Sequence, residues 1–286
     1  MKLLCFSAGD QNHLGLKLTD GVLDLTDAGY PRDLRSTIEN FEAAKKEIDA
    51  ISRHNTLPLL DEESLSYLPP ASPVSKILCV GQNYKAHVEE MHKSLAMNYP
   101  PEPVLFSKFN NALTGHRSAV KLSANAHCYD YEAELVIIMG KGGIDIAGDK
   151  AKDYIFGYTC GNDLSAREAQ KKTSQWLIGK SLPGFAPVGP WVVTADEIDP
   201  CNLDISCRRG EELVQSSNTS RMIFDVYTIV SYASKYIRLE PGDLIFTGTP
   251  AGVIFGKEKD QQNWLTAGEE VTVTIENIGS LTIKLV

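Results

Sequence analysis

The sequence predicts an α+β protein that is mostly β, with a small N-terminal α+β domain ahead of a larger β-roll. Three observations predict this class. Short apolar segments that end in Gly or Pro dominate the C-terminal half. Only two helical stretches interrupt them, near residues 163–175 and 222–237. No G-x-G-x-x-G motif follows a strand, which argues against a doubly wound α/β sheet.

The composition is that of a globular protein with an acidic surface. The 286 residues include 28 basic and 37 acidic side chains, a formal net charge of −9. This balance argues against nucleic acid as the main partner, because phosphate binding needs a basic face. No apolar run approaches the roughly 20 residues that span a bilayer, so no membrane partner is expected.

The cysteines and the start of the chain bear on its location. The first residues, "MKLLCFSAGD", have too short an apolar run for a signal peptide. The six cysteines are scattered and form no Cys-x-x-Cys pair. Such cysteines are typical of reduced, mostly buried thiols and not of a zinc site. We therefore expect a cytoplasmic protein and leave a mitochondrial location open.

Residues 1–70 are predicted to form the small N-terminal domain, and residues 71–286 the larger one. The segments "MKLLCFSA", "HLGLKLTDG" and "VLDLTDAG" predict short strands that end at turns. The stretch 36–55 has apolar residues at helical spacing. The proline-rich stretch 68–76 that follows is predicted to be an extended linker.

The larger domain begins with an apolar strand, "ILCVGQNY", and a short helix within "KAHVEEMHKSL". Its later apolar segments alternate or run continuously between Gly and Pro residues, as in β-strands. They are "ELVIIMG", "IFGYTCGND", "PWVVTADE", "DISCRRG", "DLIFTGTP", "VTVTIENIG" and "SLTIKLV".

The segment "YDYEAELVIIMG" (129–140) places two glutamates beside a buried strand. Side chains two apart on a strand share a face, so Glu132 and Glu134 would lie side by side. Two such carboxylates repel each other, and burial raises the cost. A bound dication would offset that cost. The alternative is an edge strand whose glutamates face solvent.

A third carboxylate, Asp163, follows the apolar strand in "FGYTCGNDLSAREAQKK". If the following helix includes it, Asp163, Arg167 and Gln170 share one helix face, which suits an anionic ligand. The alternative is that Asp163 only caps the helix. With Glu132 and Glu134 it forms an all-oxygen donor set, which Mg²⁺ and then Mn²⁺ prefer.

The segment "GQNYKAHVEEM" pairs His87 with Glu90, three residues apart and therefore neighbours on a helix. A carboxylate beside an imidazole fixes its tautomer and raises its basicity, as in a general base that activates water. The alternative is a surface pair that merely touches. His92, His116 and His127 have no such context and are expected to be structural or exposed.

Two further residues have side chains suited to an anion. Lys180 stands in an apolar, glycine-rich stretch, "QWLIGKSLPG", where lysines are seldom unpaired. It either faces an anion or extends to solvent. Thr249 lies in "TGTPAGV", a turn whose hydroxyls and N–H groups can hold a carboxylate. The alternative there is a plain turn.

Taken in order, these motifs resemble the fumarylacetoacetate hydrolase family, in particular its acylpyruvase and oxaloacetate decarboxylase members. The similarity covers roughly residues 74–286 and includes "WLIGKS" and "LEPGDLIFTGTPAGV" as well as the motifs above. The resemblance implies a mixed β-roll of the family's C-terminal type, in a homodimer. Residues 1–70 are similar only in kind to the N-terminal domain of longer members.

The resemblance also implies roles for individual residues. Glu132, Glu134 and Asp163 match the family's metal ligands, for Mg²⁺, Mn²⁺ or Ca²⁺. His87 and Glu90 match the pair that activates water.

The substrate contacts match in the same way. Arg167 and Gln170 fall on the family's contacts to substrate or oxyanion. Lys180 falls on the lysine that holds a substrate oxygen, and Thr249 on the threonine that binds carboxylate. Gln170 and Lys180 are thereby also implied in catalysis.

We interpret the set as a metal-dependent hydrolase that cleaves an acylpyruvate or 2,4-dioxo acid into pyruvate and a carboxylic acid. The alternative is an oxaloacetate-type decarboxylase, or a 2-oxo diacid isomerase or tautomerase, with the same site. A binding protein without catalysis is a third hypothesis.

Two loops are expected to surround the pocket. The segment 91–104 is expected to be a mobile lid, and the loop 181–190 is expected to shape the pocket with Phe185.

Overall fold

Two large β-sheets make up most of the fold, and the computed structural model describes residues 1–70, 73–91 and 99–286. The described strands are β1 (Lys2–Ala8), β2 (Gln11–Leu18), β3 (Gly21–Asp24), β4 (Ser66–Leu68), β5 (Ile77–Gly81), β6 (Val104–Lys108), β7 (Leu113–Thr114), β8 (Ala119–Val120), β9 (Tyr129–Asp130), β10 (Ala133–Met139), β11 (Ile155–Asn162), β12 (Ser165–Ala166), β13 (Ala186–Thr194), β14 (Asp204–Arg209), β15 (Glu212–Asn218), β16 (Leu244–Phe246), β17 (Glu270–Ile275) and β18 (Gly279–Leu285). The α-helices are α1 (Leu34–Glu39), α2 (Phe41–His54), α3 (Lys85–Met91), α4 (Arg167–Gln170), α5 (Leu177–Lys180) and α6 (Val226–Tyr236).

The larger sheet has the order β3-β2-β1-β13-β11-β10-β16-β5-β6, with β4 beside β1 and β7 beside β13. Its central strand β10 is buried along its whole length, as its unbroken apolar run predicts. The second sheet, β15-β14-β17-β18-β8, lies against β10, β11 and β13. Along β17 buried residues alternate with less buried ones, which is the pattern of a sheet covered on one face. The predicted mostly β architecture is confirmed.

The N-terminal strands continue the larger sheet. β1 pairs antiparallel with β13, so that Lys2 lies opposite Val193 and Leu3 opposite Val192. The β1–β2–β3 meander and β4 extend the sheet outward from that pairing. The division into domains at residue 70 stays a prediction.

The helix predicted within 36–55 is interrupted in the structure. The backbone leaves the helical region at Asn40 (φ −129°, ψ 38°), which separates α1 from α2. The predicted apolar stripe is nevertheless buried at Ile38, Ala44 and Ile48. The stripe is thus divided between two helices, and Phe41 of α2 packs edge to face on Phe156 of β11, 4.9 Å between ring centroids.

The helix predicted near 163–175 is much shorter in the structure, where only α4 (Arg167–Gln170) is helical, whereas the helix predicted near 222–237 is present as α6 (Val226–Tyr236). The Asp163 N–H donates to the carbonyl of Glu132 at 2.9 Å, and the strand β12 that follows pairs with β9. These pairings hold the chain extended until α4 begins at Arg167. Asp163 is therefore neither the cap of a helix nor on a helix face with Arg167 and Gln170.

The described helices include none that is long and apolar enough to cross a bilayer. Cys79, Cys160 and Cys207 are buried, and the other three cysteines are partly buried. Burial raises the pKa of the Cys207 thiol, which keeps that thiol protonated and unreactive at neutral pH.

Replacing Gly161 by Ala should destabilise the fold. Gly161 lies opposite Glu134 in the β10–β11 pair. An added Cβ would lie 2.4 Å from Cγ2 of Val136 and 2.6 Å from Cε1 of Phe246. Overpacking of this kind costs about 1–3 kcal/mol. Urea unfolding measures the loss, with Gly148→Ala as the control, because the nearest atom to a Cβ there is 3.9 Å away. Equal stability of the two variants would contradict the packing described.

Candidate active site

The three predicted carboxylates lie together in the interior. Glu132 precedes β10, Glu134 is its second residue, and Asp163 follows β11 directly. Ala133 pairs with Asn162, which brings the start of one strand to the end of the other. All three side chains are buried, and one oxygen from each lies within 4.8 Å of the others.

Side chains of the protein itself offset much of the repulsion between these carboxylates. The Lys180 ammonium donates to Glu132 Oε2 at 2.5 Å and to Asp163 Oδ2 at 2.7 Å. Arg167 Nη2 donates to Glu132 Oε1 at 2.6 Å. Lys180 is only 2% exposed, so it does not extend to solvent. The cations of the protein itself therefore stabilise the buried carboxylates, in addition to any dication that binds there.

The sequence analysis missed Lys108, at the end of β6. Its buried ammonium donates to Asp163 Oδ1 and, at 3.0 Å, to the carbonyl of Leu164. The signal that pointed to Lys180, a lysine in an apolar stretch, is also present in "VLFSKF".

Asp130 was missed as well, although it continues the spacing of two that relates Glu132 to Glu134. Its buried carboxylate accepts from Arg167 Nε at 2.8 Å. It also accepts from the backbone N–H groups of Ile254 at 2.8 Å and Phe255 at 3.1 Å. Asp130 thus holds Arg167 against the segment that follows the Thr249 turn.

Three cations and three carboxylates alternate through this cluster, each in contact with the next. In order they are Lys108, Asp163, Lys180, Glu132, Arg167 and Asp130. We call this set the ionic chain. Glu134 stands outside it: its hydrogen bond is from the Gly248 N–H, at 2.7 Å, and the described ion pairs include none to its carboxylate.

The carboxylates differ accordingly in their pKa values. Burial, and then the charges of Asp163 and Glu132, raise the pKa of the Glu134 carboxyl well above its ordinary value. Burial also acts to raise the pKa of Glu132, but Arg167 and Lys180 outweigh it and hold that pKa below its usual range. Of the four buried carboxylates, Glu134 is thus the one without an ion-pair partner in the part of the chain that the structure describes.

The donor set fits a divalent cation. Four buried carboxyl groups face three cations, so Glu134 is the one without an ion pair among the described residues and is the one that a dication would most favour in its charged form. Mg²⁺–oxygen bonds are about 2.0–2.1 Å, so two ligand oxygens of one ion are at most about 4 Å apart, and the triad oxygens, which lie within 4.8 Å of one another, need only small movements to bind it. Glu132, Glu134 and Asp163 would hold the ion, and each has oxygen lone pairs that the ionic chain leaves free.

His87 lies in α3 and is 7% exposed. Its Nδ1 is 3.5 Å from Glu90 Oε2, which is longer than a normal hydrogen bond, and it has no hydrogen-bond partner in the described part of the chain. Both Glu90 carboxylate oxygens instead accept from the Gly252 N–H at 3.1 Å. The predicted pair is adjacent, but Glu90 is bonded to the loop and not to the imidazole.

A cavity of about 70 Å³ joins these groups. Besides the carboxylate triad, the predicted residues that line it are His87, Arg167, Gln170, Lys180 and Thr249. Gln170 Oε1 accepts from Arg167 Nη1 at 3.1 Å, and Thr249 Oγ1 accepts from Gln215 Nε2 at 2.9 Å.

The sequence analysis also made predictions for residues around the cavity, and the structure does not support all of them. Phe185 packs against the Tyr129 ring, 5.8 Å between centroids, and does not line the cavity, so its predicted role there is wrong. Of the predicted lid 91–104, residues 92–98 lie outside the described residues, as does His92. His116 is buried and accepts from the Thr282 N–H at 3.0 Å, whereas His127 is exposed.

The family model described as fumarylacetoacetate (FAA) hydrolase C-terminal matches residues 76–286. The chain belongs to the fumarylacetoacetate hydrolase family. Oxaloacetate tautomerase fahd2, mitochondrial, of Xenopus laevis is 36% identical over 295 residues, covering 100% of this chain and 90% of that protein. The matched range includes every predicted site residue.

Two solved structures of the family are similar along the whole chain. Fumarylacetoacetate hydrolase from Exiguobacterium antarcticum has a TM-score of 0.86 and 34% identity, covering 100% of this chain and 99% of that one. Maleylpyruvate hydrolase from Sphingobium sp. SYK-6, in complex with manganese(II) and pyruvate, has a TM-score of 0.80 and 28% identity, with the same coverage. A family member thus binds a divalent ion together with a 2-oxo acid.

Replacing Lys108 by Met should destabilise the metal-free protein. The variant leaves Asp163 Oδ1 buried without its ammonium partner, which costs about 3–5 kcal/mol. Mn²⁺ should restore part of that stability, so it should raise the Tm more in the variant than in the wild type. Thermal unfolding with and without Mn²⁺ measures both effects. Lys172→Met is the control, because Lys172 is exposed and its ammonium is paired with the exposed Glu168. If the two variants were equally stable, the ionic chain would not stabilise the fold.

Replacing Glu134 by Gln should weaken Mn²⁺ binding at least about tenfold and leave stability nearly unchanged, because Glu134 forms no ion pair among the described contacts. Glu132→Gln should weaken binding and also lower the Tm, because it breaks contacts to Arg167 and Lys180. Calorimetric titration with Mn²⁺ and thermal unfolding distinguish the two. Unchanged Mn²⁺ affinity in Glu134→Gln would rule out Glu134 as a ligand.

Proposed function

We propose that this protein is a divalent-metal-dependent tautomerase that interconverts the keto and enol forms of oxaloacetate or a similar small 2-oxo diacid. The observation that carries the proposal is one small buried cavity that brings the carboxylate triad, His87 and Lys180 together. A cavity of about 70 Å³ suits a small substrate. The name of the Xenopus relative supports the same reaction.

A divalent cation held by Glu132, Glu134 and Asp163 supplies Lewis acidity toward the carboxylate and 2-oxo oxygens of such a substrate. Mg²⁺ or Mn²⁺ suits the all-oxygen donors, and Ca²⁺ is a further candidate. The protein's own contribution is to orient the substrate and to move one proton.

We assign that proton transfer to His87, which lines the cavity. Tautomerisation takes a proton from C3 of the substrate and adds one to the oxygen on C2. One imidazole can take the first proton and deliver it to the oxygen, which balances the reaction without water. Since Glu90 is bonded to Gly252, the hydrogen bond that would turn the pair into a strong base for water is not formed. A single base meets the needs of proton transfer better than those of hydrolysis.

The remaining predicted residues would bind the substrate. The Lys180 ammonium and the Gln170 amide line the cavity and can donate to the oxygen on C2 as negative charge develops there. Arg167, fixed by Asp130 and Glu132, adds positive potential on the same side. Thr249 also lines the cavity, and its hydroxyl, which accepts from Gln215 Nε2, can donate to a substrate carboxylate.

Hydrolysis of an acylpyruvate is the second candidate function. The observation that favours it is the 3.5 Å separation of His87 and Glu90, which a small rotation would shorten to a hydrogen bond. The solved maleylpyruvate hydrolase supports that reaction within the family. Decarboxylation of oxaloacetate would need the same groups without an attacking water.

Other parts of the sequence analysis remain proposals. The homodimer follows from the family resemblance alone. The cytoplasmic location is a prediction from composition, while the Xenopus relative is named as mitochondrial.

Replacement of His87 by Asn should lower the rate of enol loss from oxaloacetate by about 10²–10⁴-fold, because the proton shuttle is removed. Glu90→Gln should reduce tautomerisation less than tenfold, as should the neighbouring control Glu89→Gln, whose exposed carboxylate bonds Tyr99. The assay follows the ultraviolet absorbance of the enol with Mg²⁺ and again after chelation.

The same variants distinguish the two candidates. Release of pyruvate and a matching acid from a small acylpyruvate, abolished in Glu90→Gln, would establish hydrolysis instead. Enol loss that is as fast in His87→Asn as in the wild type would rule out the proposed mechanism.

A further inference from the structure

The cavity has a charged floor and an aromatic wall. We call the carboxylate triad with Lys180 and Arg167 the floor, and Phe106 with Trp176 the wall; all of these residues line the cavity. Ligand pockets are commonly about 300–1,000 Å³, so at about 70 Å³ this cavity is unusually small.

The aromatic wall stands close to the charged groups. The Lys180 ammonium is 5.2 Å from the centroid of the Phe106 ring. The Trp176 ring meets that of Phe106 edge to face, 5.2 Å between centroids. At 5.2 Å the Lys180 ammonium and the Phe106 ring are in contact, so a substrate does not pass between them and the room for it is next to Trp176.

Trp176 is seated on the backbone of Gly81. A Cβ at position 81 would lie 2.7 Å from Cζ3 and 3.0 Å from Cη2 of the Trp176 ring. Gly81 is not among the glycines with positive φ, so its backbone conformation does not require glycine. The close approach of the Trp176 indole is what requires glycine at position 81.

The indole is also fixed relative to the charged residues. Trp176 directly precedes α5, and its carbonyl accepts from the Gly179 N–H at 3.0 Å. A Cβ at Gly179 would lie 2.5 Å from the backbone nitrogen of Gln170, so α5 packs tightly on α4. Trp176, Lys180 and Gln170 therefore form one packed unit.

We propose that Trp176 is a specificity-determining residue that restricts this site to 2-oxo acids of about four carbons. The acid group and the 2-oxo oxygen lie on the charged floor, and the rest of the chain points to the indole, which blocks longer groups. The inference rests on the proposed function only in taking a 2-oxo acid as the ligand. It assigns to Trp176 no part in proton transfer.

The test measures binding without turnover. Pyruvate, 2-oxobutyrate, 2-oxohexanoate and 2-oxooctanoate are titrated by calorimetry into the Mn²⁺-loaded protein. The wild type should bind the two short acids at least tenfold more tightly than the two long ones. Trp176→Ala should reduce that ratio at least tenfold through tighter binding of the long acids, while its affinity for pyruvate changes less than threefold. Phe109→Ala is the control, because Phe109 is exposed and does not line the cavity.

Two further variants apply if Trp176→Ala is too unstable to titrate. Trp176→Phe should reduce the ratio in part, because a smaller ring remains. Gly81→Ala should change the ratio by displacing the indole. An unchanged ratio in a folded variant, or wild-type binding of 2-oxooctanoate as tight as that of pyruvate, would overturn the proposal.

The two proposals have separate outcomes. Binding of pyruvate without any tautomerisation of oxaloacetate would overturn the proposed reaction and leave the role of Trp176 to be decided by the titration. A wild-type protein that tautomerises oxaloacetate but binds none of the four acids would overturn the role of Trp176 and leave the proposed reaction standing.

Discussion

The burial of four carboxylates in one cluster is the constraint on which the rest of this structure depends. Charges removed from water are costly unless each has a partner. Lys108, Lys180 and Arg167 supply three partners, and their alternation with Asp163, Glu132 and Asp130 leaves no two of these like charges in direct contact. Glu134 is left over, and its raised pKa reflects that position. The charges of the cluster are therefore nearly balanced without a metal, and Glu134 remains available to bind one.

The same contacts connect parts of the chain that are far apart in sequence. Lys108 comes from the edge strand β6, Lys180 from α5, and Asp130 from β9. Asp130 also accepts from the backbone of the segment after the Thr249 turn, and Glu90 holds that segment from the other side through Gly252. The loops around the cavity thus depend on buried carboxylates for their positions. A mutation that changes the charge of the cluster would therefore affect the positions of these loops.

Glycines set the dimensions of the cavity in a different way. At Gly81, Gly161 and Gly179 a neighbouring group occupies the space where a Cβ would lie. Gly161 lets Phe246 and Val136 close over the strand that leads to Asp163. Because Gly81 and Gly179 have no side chain, the Trp176 indole and the helix α5 pack close to the charged groups. The small size of the site follows from these close approaches as much as from the aromatic residues themselves.

The sequence by itself determined the strand-rich class and the residues of the carboxylate triad, because alternation and unbroken apolar runs are local patterns. It also placed His87 beside Glu90, since three residues on a helix span one turn. Only the tertiary structure decided how the charges are paired. Arg167 forms an ion pair with Glu132, although the sequence predicted that it shares a helix face with Asp163. Lys108 donates to Asp163 from a strand 55 residues away in the sequence. Such partners are set by how strands and helices pack, because the electrostatic energy depends on distance in space and not along the chain.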